Sequence, residues 1–527
     1  MERMEMIRKQ AWKRTMSLVT AGSLVASLAA GCSGGNGGEG AAASASVSPK
    51  ASASASATPA PTKAPPTPLK VFMVDSGGNY SGEAIKYIEE KTNTKLTITA
   101  VVGGANGVDL ENRLNVTMAS GDIPDVIQFF KDETELKYVS SGLLVPLSDY
   151  FDKAPNLKNS RTAADWNAMK HPDGKIYAVG TKSPDVHFVS MYRKDWLDKL
   201  SLKVPTTIEE YYQVADAIAN RDPDGNGKKD TFAFGSVGAI GRYFDHIFGA
   251  YGVLPNYWML KDGKVVSGSI QPEAKEALKF LNKMYTNKLI DPEFVTDTID
   301  RNRTKFKNGV YGAQANFIWM FDANNVFDYY KPFKDKNPNG EWVEGPVLQA
   351  PGFQSVGMRK LTARGVNKTA ITKNSKNIDA ALRLLDWLAS PEGNTFTNYG
   401  IKGVHYEIGS DNVVKTTADA KTLNDYGVNQ VTLAKDALFD HTTASFKQVK
   451  AFTEKNALTN PVDGMLIPET AKYEKDLISF TDAEYFKMIL GATPIDGGFE
   501  KFVDEYNKRG GKEYQAALDK EYQSRKK

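Results

Sequence analysis

From Leu69 onward, short apolar runs take turns with stretches in which apolar side chains recur every three to four residues. Residues 70–74 (KVFMV) and 96–102 (LTITAVV) read as strands, and Glu83 to Lys91 reads as a helix with Ala84, Ile85, Tyr87 and Ile88 inward. Asp109 to Ser120 sets Leu110, Leu114 and Met118 about one turn apart, and Asp125 to Phe130 is a third strand. The order βαβαβ predicts an α/β fold with a parallel sheet covered by helices. Ligands of such sheets sit at the carboxyl ends of the strands, here Asp75 to Ser81 and Phe129 to Glu133. Further on, Ile208 to Asn220 and Glu273 to Asn287 are helices, the second with Ala274, Ala277, Leu278, Leu281 and Met284 on one face. Leu260 to Val266 predicts a hairpin turning at Asp262-Gly263, and Val310 to Ala313 a further strand.

Upstream of this body the pattern differs. Arg3, Arg8, Lys9, Lys13 and Arg14 precede an uncharged, apolar or small stretch from Thr15 to Ala30, too short to span a bilayer permanently and typical of a signal segment over residues 1–31. Leu28-Ala29-Ala30-Gly31-Cys32 then holds the only cysteine of the 527 residues. It resembles the lipobox of bacterial lipoproteins, with Leu28 one place further upstream than usual, and implies lipid attachment at Cys32. An ordinary secretory signal cut near Ala30 is the alternative. With no second cysteine, disulfides and cysteine-ligated zinc are excluded. Residues 32–67 are rich in Gly, Ala, Ser, Thr and Pro, which predicts a disordered tether with an r.m.s. span of about 30 Å. Formal net charge is +3, partly in the signal segment, so the remainder is near neutral and nothing argues for nucleic acid.

A set of motifs in fixed order carries a family resemblance. Residues 119–125 (ASGDIPD) resemble the ASGD-x-PD signature of the extracellular solute-binding proteins of carbohydrate ABC importers. Residues 142–147 (GLLVPL), 173–177 (DGKIY) and 193–207 (RKDWL, then VPTT) are similar to further segments of that family. So are residues 380–388 (AALRLLDWL) and 399–406 (YGIKGVHY), which look like its long lipoprotein subgroup. The resemblance covers residues 68–527. It implies a type II periplasmic-binding-protein-like fold, two α/β lobes hinged by crossing strands and closing on an oligosaccharide like a clamp. Carried onto this chain, one lobe is 68–185 plus about 350–400, the other 186–349 plus 401–527. The crossing strands then fall near Val186 to Tyr192 and Gln349 to Met358. The implied partners are the permease subunits of an ABC transporter and, through the lipid, the membrane, with the receptor itself a monomer on the extracellular face.

The sharpest chemical motif is residues 222–230 (DPDGNGKKD). It offers oxygen ligands at positions 1, 3, 5, 7 and 9 of an EF-hand-type loop: Asp222, Asp224, Asn226, the carbonyl of Lys228, and Asp230, with Gly227 for the turn. Position 12 is Ala233 rather than Glu, and Thr231 stands where relatives with such a loop commonly have Glu. The expectation is a structural calcium ion; a metal-free polar turn is the alternative. Sugars are held by aromatic faces and a few polar side chains in an apolar-walled pocket. The candidates at strand ends and loops are Asn79, Tyr80, Phe129, Phe130, Tyr257, Trp258, Trp319, His405 and Tyr406. For each, core packing is the competing role; Trp196 and Trp387 lie on amphipathic helix faces and read as core. His171, His187, His246, His405 and His441 lack metalloprotease spacing, and no nucleophile elbow or P-loop occurs. The sequence therefore points to a binding protein and not an enzyme. A surface-anchored glycan hydrolase or lyase, needing only two carboxylates, and a peptide or sensory receptor on the same clamp remain as alternatives.

Overall fold

A computed structural model describes residues 64–525 apart from 76–77, 102–107, 182–187, 322–328, 361–363, 365, 411–413, 429–430, 432–446, 448–450, 453 and 468–469. The signal segment, Cys32, nearly all of the tether, His187 and His441 lie outside the described residues. In chain order the strands are β1 (Thr67–Val74), β2 (Thr94–Val101), β3 (Val126–Phe129), β4 (Ala178–Thr181), β5 (Phe188–Arg193), β6 (Trp258–Lys261), β7 (Lys264–Ser267), β8 (Ala313–Phe317), β9 (Trp342–Glu344), β10 (Val366–Ile371), β11 (Tyr406–Ile408) and β12 (Val414–Thr416).

The alternating and apolar runs at the start of the body build one sheet. β1 pairs in parallel with β2 over its whole length and with β3 at Val71 and Phe72, as the βαβαβ order predicts. The sheet is nevertheless mixed. β10, arriving from about 240 residues further along, lies antiparallel to β3, and β4 lies antiparallel to β10, giving the order β2-β1-β3-β10-β4. The helix Glu83–Thr92 buries Ala84, Ile85 and Ile88 against this sheet, and the helix Ile378–Ala389 buries Leu384, Leu385 and Leu388 in the same core.

A second sheet, order β8-β5-β9, is antiparallel throughout, with Phe188 opposite Phe317 and Met191 opposite Glu344. All six residues of β5 are buried, as a central strand requires. A larger core lies beside it, formed by helices Ile208–Asn220, Pro272–Thr286 and Ala471–Ile489 around Tyr211, Phe244, Phe248, Leu278 and Tyr485. The first of these helices opens on a capping box: the Thr207 side chain accepts from the Glu210 N–H while Glu210 reaches back to the Thr207 N–H. The β6–β7 hairpin turns at Asp262 and Gly263 with φ of 52° and 75°, a turn in which glycine's freedom at positive φ is used.

The chain passes from the first sheet to the second between Thr181 and Phe188, and returns between Met358 and Val366. A third passage follows Val431 and reaches the second region by Asn456 to Leu458. The passages are tied to one another: Arg359 forms a parallel bridge with Leu458, whose N–H donates to Met358 O at 2.9 Å. Gly357 is required there, since a Cβ would stand 1.8 Å from the Asn456 carbonyl oxygen.

Two expectations are corrected by this packing. The strand placed at Val310 to Ala313 runs instead from Ala313 to Phe317, so that the apolar run before it is an approach segment. Residues about 401–431, placed with the second lobe from sequence, pack against the first core. Val431 is buried in it, Tyr426 rests on it, and the Asn424 carbonyl accepts from the Asn79 N–H.

Candidate ligand-binding site

Strand β5 enters the second sheet at Phe188, beside the passages that link the two sheets, and a pocket opens there. Its space of about 390 Å³, continuous with solvent, is lined by Phe188, Ser190, Pro346, Met358, Phe452 and Asn456 among others. Gly249 allows the wall to close, because a Cβ on it would meet the Val356 carbonyl oxygen at 2.5 Å. His246, also on the wall, stands with Nε2 3.0 Å from the Tyr211 hydroxyl; complete burial pushes its pKa down to about 3, so it is a neutral ring at physiological pH.

Charge beside the passages is mostly paired. Asp245, fully buried, accepts from Arg359 Nε at 2.6 Å and Nη2 at 2.7 Å, and Arg359 also donates to the Pro255 carbonyl. On the first-sheet side, buried Glu135 takes bonds from Arg364 Nη2 at 2.6 Å and His171 Nε2 at 2.8 Å, while Lys368 and Arg364 both pair with Asp132. Burial opposes ionisation of Glu135, but the His171 hydrogen bond and the Arg364 and Lys368 charges hold its carboxyl below the usual range. Glu474, on the helix Ala471–Ile489, receives a hydrogen bond from Tyr514. A protein-walled setting and the Glu133 and Asp132 charges push it up to about 7. Asp482 is pushed up to about 6, chiefly by burial, and accepts from Asn256 Nδ2 at 2.8 Å.

The residues singled out from sequence are dispersed. Phe129 is wholly enclosed, edge-on to Tyr138, and Phe130 packs beside the same cluster, so these two are packing groups. Asn79 binds the Asp425 carbonyl and Tyr80 lies with its hydroxyl 3.1 Å from Asp75, which fixes the loop after β1 to the helix Ala420–Tyr426. Tyr257 is buried, its hydroxyl 2.8 Å from the Leu458 carbonyl and 3.1 Å from that of Lys360: it staples two passages together. Trp258 begins β6 rather than lying in the loop before it, half-buried and edge-on to Tyr514 with ring centroids 5.0 Å apart. His405 and Tyr406 are buried; His405 Nδ1 accepts from the Ile401 N–H, and its ring lies 4.3 Å from that of Tyr426. Trp319 sits on the 3-10 turn Ile318–Phe321 directly after β8, and its side chain lies outside the described residues. Trp196 is core as expected, and Trp387 packs on the first core. The groups that do meet at the pocket, Phe188, His246, Met358, Phe452 and Asn456 among them, belong to no motif. Phe188 and Met358 had a signal, their place in the predicted crossing segments.

The acidic loop after the helix Ile208–Asn220 is folded tightly. Asp222, at φ 47°, accepts from the N–H groups of Gly225 (3.0 Å), Asn226 (3.0 Å) and Gly227 (2.9 Å). The Gly227 bond foremost among these holds its carboxyl below the usual range, while burial and the hydrogen bond with Asp222 raise that of Asp224. The Asn226 amide nitrogen lies 2.8 Å from Asp224 Oδ2 and 3.1 Å from Asp230 Oδ1, so the side chains at positions 3, 5 and 9 converge. Among the described residues no lysine or arginine pairs with Asp222, Asp224 or Asp230. A second group of acids, Asp291, Glu293 and Asp297, is close enough to chelate an ion, but Lys305 Nζ stands 2.7 Å from all three.

Residues 35–395 match the model of the bacterial extracellular solute-binding protein family. The chain belongs to that family. Among curated proteins it is 27% identical over 441 residues to the polygalacturonan/rhamnogalacturonan-binding protein YtcQ of Bacillus subtilis, covering 82% of this chain and 86% of that one. It is 26% identical over 482 residues to the lipoprotein LipO of the same organism, covering 84% and 89%. Among solved structures, the substrate-binding protein FusA of Streptococcus pneumoniae in complex with kestose superimposes with a TM-score of 0.71 at 21% identity, over 87% of this chain and 99% of that one. An EF-hand mutant of FusA also superimposes, at a TM-score of 0.69. The fold is thus the two-lobed, type II solute-binding fold expected from the motifs.

Proposed function

We propose that this solute-binding protein is a lipid-anchored extracellular receptor that captures an oligosaccharide and presents it, chemically unchanged, to the permease of an ABC importer. The observation that carries most weight is the family match over residues 35–395, joined to a pocket at the passages between the two sheets. YtcQ is named for binding polygalacturonan and rhamnogalacturonan and FusA was solved with kestose, which favours a carbohydrate ligand. The pocket wall suits one: Phe188, Pro346 and Met358 offer apolar surface to sugar C–H faces, and Ser190 and Asn456 offer hydrogen-bonding groups to hydroxyls. A ligand held where the passages meet binds the closed arrangement of the lobes more tightly than the open one, and that difference closes the hinge. Cys32 carries the lipid, the tether holds the monomeric body outside the membrane, and the lipoprotein name of LipO agrees with this.

The loop Asp222–Asp230 holds a structural calcium ion in this reading, through Asp222, Asp224, Asn226, the Lys228 carbonyl and Asp230. Converging side-chain oxygens with no lysine or arginine among the described residues paired to the three carboxylates suit a divalent cation. The ion stiffens the turn after the helix Ile208–Asn220 and takes no part in chemistry on the ligand.

A thermal-shift screen against neutral, acidic and aminated oligosaccharides, each with calcium and with chelator, tests the proposal. A sugar at 100 times its dissociation constant adds about 2.7 kcal/mol and raises the melting temperature visibly. Silence across the whole panel overturns the carbohydrate assignment, and equal melting with calcium and chelator overturns the ion.

A further inference from the structure

We propose that Glu474 is a proton-controlled latch between the two regions of the clamp: neutral, it leaves them as close as they stand in this structure, and ionised, it pushes them apart. This adds a regulation to the hinged reading above and does not depend on which sugar binds. The two regions touch directly here. Gly464, at φ 75°, lies flush on the helix Ala163–Met169, since a Cβ on it would stand 2.6 Å from the Ala168 carbonyl oxygen. The same carbonyl accepts from Arg364 Nη1 at 3.0 Å. Val462 and Met465 tie the Gly464 segment to the second core, and Trp166 and Met169 tie the helix to the first. From this contact the chain runs into the helix Ala471–Ile489, whose first turn carries Glu474. Asp132 and Glu133, which act on Glu474 from the first region, occupy the first turn of the helix Asp132–Ser140. That turn is pinned from below: Glu111 accepts from the Phe130 N–H at 2.9 Å and from the Lys131 N–H at 3.1 Å. Each set of carboxylates is thus anchored to its own region.

Charge across the contact does not balance. Arg364 and Lys368 are both committed to Asp132 and Glu135, and the His171 ring is bonded to Glu135 as well. Among the described residues no lysine or arginine pairs with Glu133 or Glu474. On the helix of Glu474 itself, Lys472 lies over the Tyr473 ring and Asp476 is paired with Arg509. From the helix Lys512–Arg525 only the Tyr514 hydroxyl reaches Glu474, and it is neutral. Partial loss of hydration between these walls, then the Glu133 and Asp132 charges, push Glu474 up to about 7. Water still reaches the group: Glu474 is exposed and the Asp132 side chain is 43% exposed, so the proton comes and goes without unfolding. The sign follows from linkage. A carboxyl raised by one arrangement favours that arrangement fully below its ordinary value, and the contribution is lost as pH rises through about 7. Between those limits the ratio of close to parted forms falls about tenfold per pH unit.

The test is small-angle X-ray scattering from the ligand-free protein between about pH 5 and about pH 9, for wild type, Glu474→Gln, Glu474→Lys and Glu133→Gln. Wild type widens as pH rises, with its midpoint near the Glu474 value, and added salt reduces the widening. Glu474→Gln stays compact throughout. Glu474→Lys, which turns the repulsion into attraction, stays compact as well, and Glu133→Gln widens less than wild type. Wild-type dimensions that do not change with pH, or a widening that survives Glu474→Gln, overturn the latch. Neither result touches the carbohydrate assignment, which stands or falls in the oligosaccharide screen.

Discussion

Two groups of carboxylates lie close in sequence in the second half of the fold, and they are neutralised in different ways. Asp291, Glu293 and Asp297 gather around Lys305, whose ammonium group sits 2.7 Å from each. Asp222, Asp224 and Asp230 gather around Asn226, and among the described residues no lysine or arginine is paired to them; Lys199 Nζ beside them donates to the Pro223 carbonyl. The first group carries its own cation and is a closed structural unit; the second is, in the proposed reading, completed by a calcium ion from outside. Acidic composition does not distinguish them, and only the position of one lysine does.

Removing that lysine has the largest expected effect. Lys305→Met leaves Asp291 and Asp297, 1% and 4% exposed, without a counter-charge and costs about 3–5 kcal/mol in denaturant unfolding. Added calcium does not rescue the variant if the comparison is right, because Asp291 Oδ2 is also held by the Tyr311 hydroxyl, which donates to it at 2.8 Å, in a geometry set for an ammonium group. Full rescue by calcium breaks the distinction between the two groups. Next in size is the loop: chelation lowers the melting temperature of wild type, and Asp230→Ala abolishes the difference between calcium and chelator without touching the Lys305 group. A calcium concentration at 100 times the dissociation constant corresponds to about 2.7 kcal/mol.

Acid should sharpen the contrast further. The Asp224 carboxyl is raised in the fold, first by burial and then by Asp222. A folded pKa above the unfolded one means that this group favours the fold most at low pH and loses that contribution as pH rises through the raised value. Asp222, held below the usual range by backbone N–H groups, contributes in the opposite sense, so without calcium the two shifts oppose each other. With calcium, stability at this site rises with pH, since the ion requires ionised ligands and binds better as pH rises. Melting curves across the carboxylate range with and without calcium should therefore converge in acid and diverge toward neutral pH. Parallel curves contradict the assignment. Smallest is Thr207→Ala, which removes the cap of the helix leading into the loop and costs about 1 kcal/mol, equally with and without calcium.

Local regularities were legible in the sequence, and long-range partnerships were not. The helix Ile208–Asn220 matches its prediction, because its cap and periodicity are local. The five inward residues of the helix Pro272–Thr286 are the five buried ones, for the same reason. β10 could not be foreseen between β3 and β4: a strand's neighbours depend on contacts hundreds of residues apart, and the antiparallel insertion leaves no local mark. The same limit hid the site. Arg359 finds Asp245 114 residues away. Aromatic residues near strand ends proved a weak guide. Phe129, Tyr257 and Tyr406 are buried among partners, and a long chain with many aromatics uses most of them to fill cores. The acidic loop was legible because its oxygen-bearing side chains fall within nine residues.

The measurement that bears most directly on the account is calorimetric titration with an oligosaccharide at neutral pH, followed by recovery of the ligand and assay for new reducing or unsaturated ends. A receptor that captures and delivers its sugar gives saturable one-to-one binding and returns the ligand intact. Turnover of the oligosaccharide, at any rate above that of a boiled control, contradicts it and makes the pocket an active site.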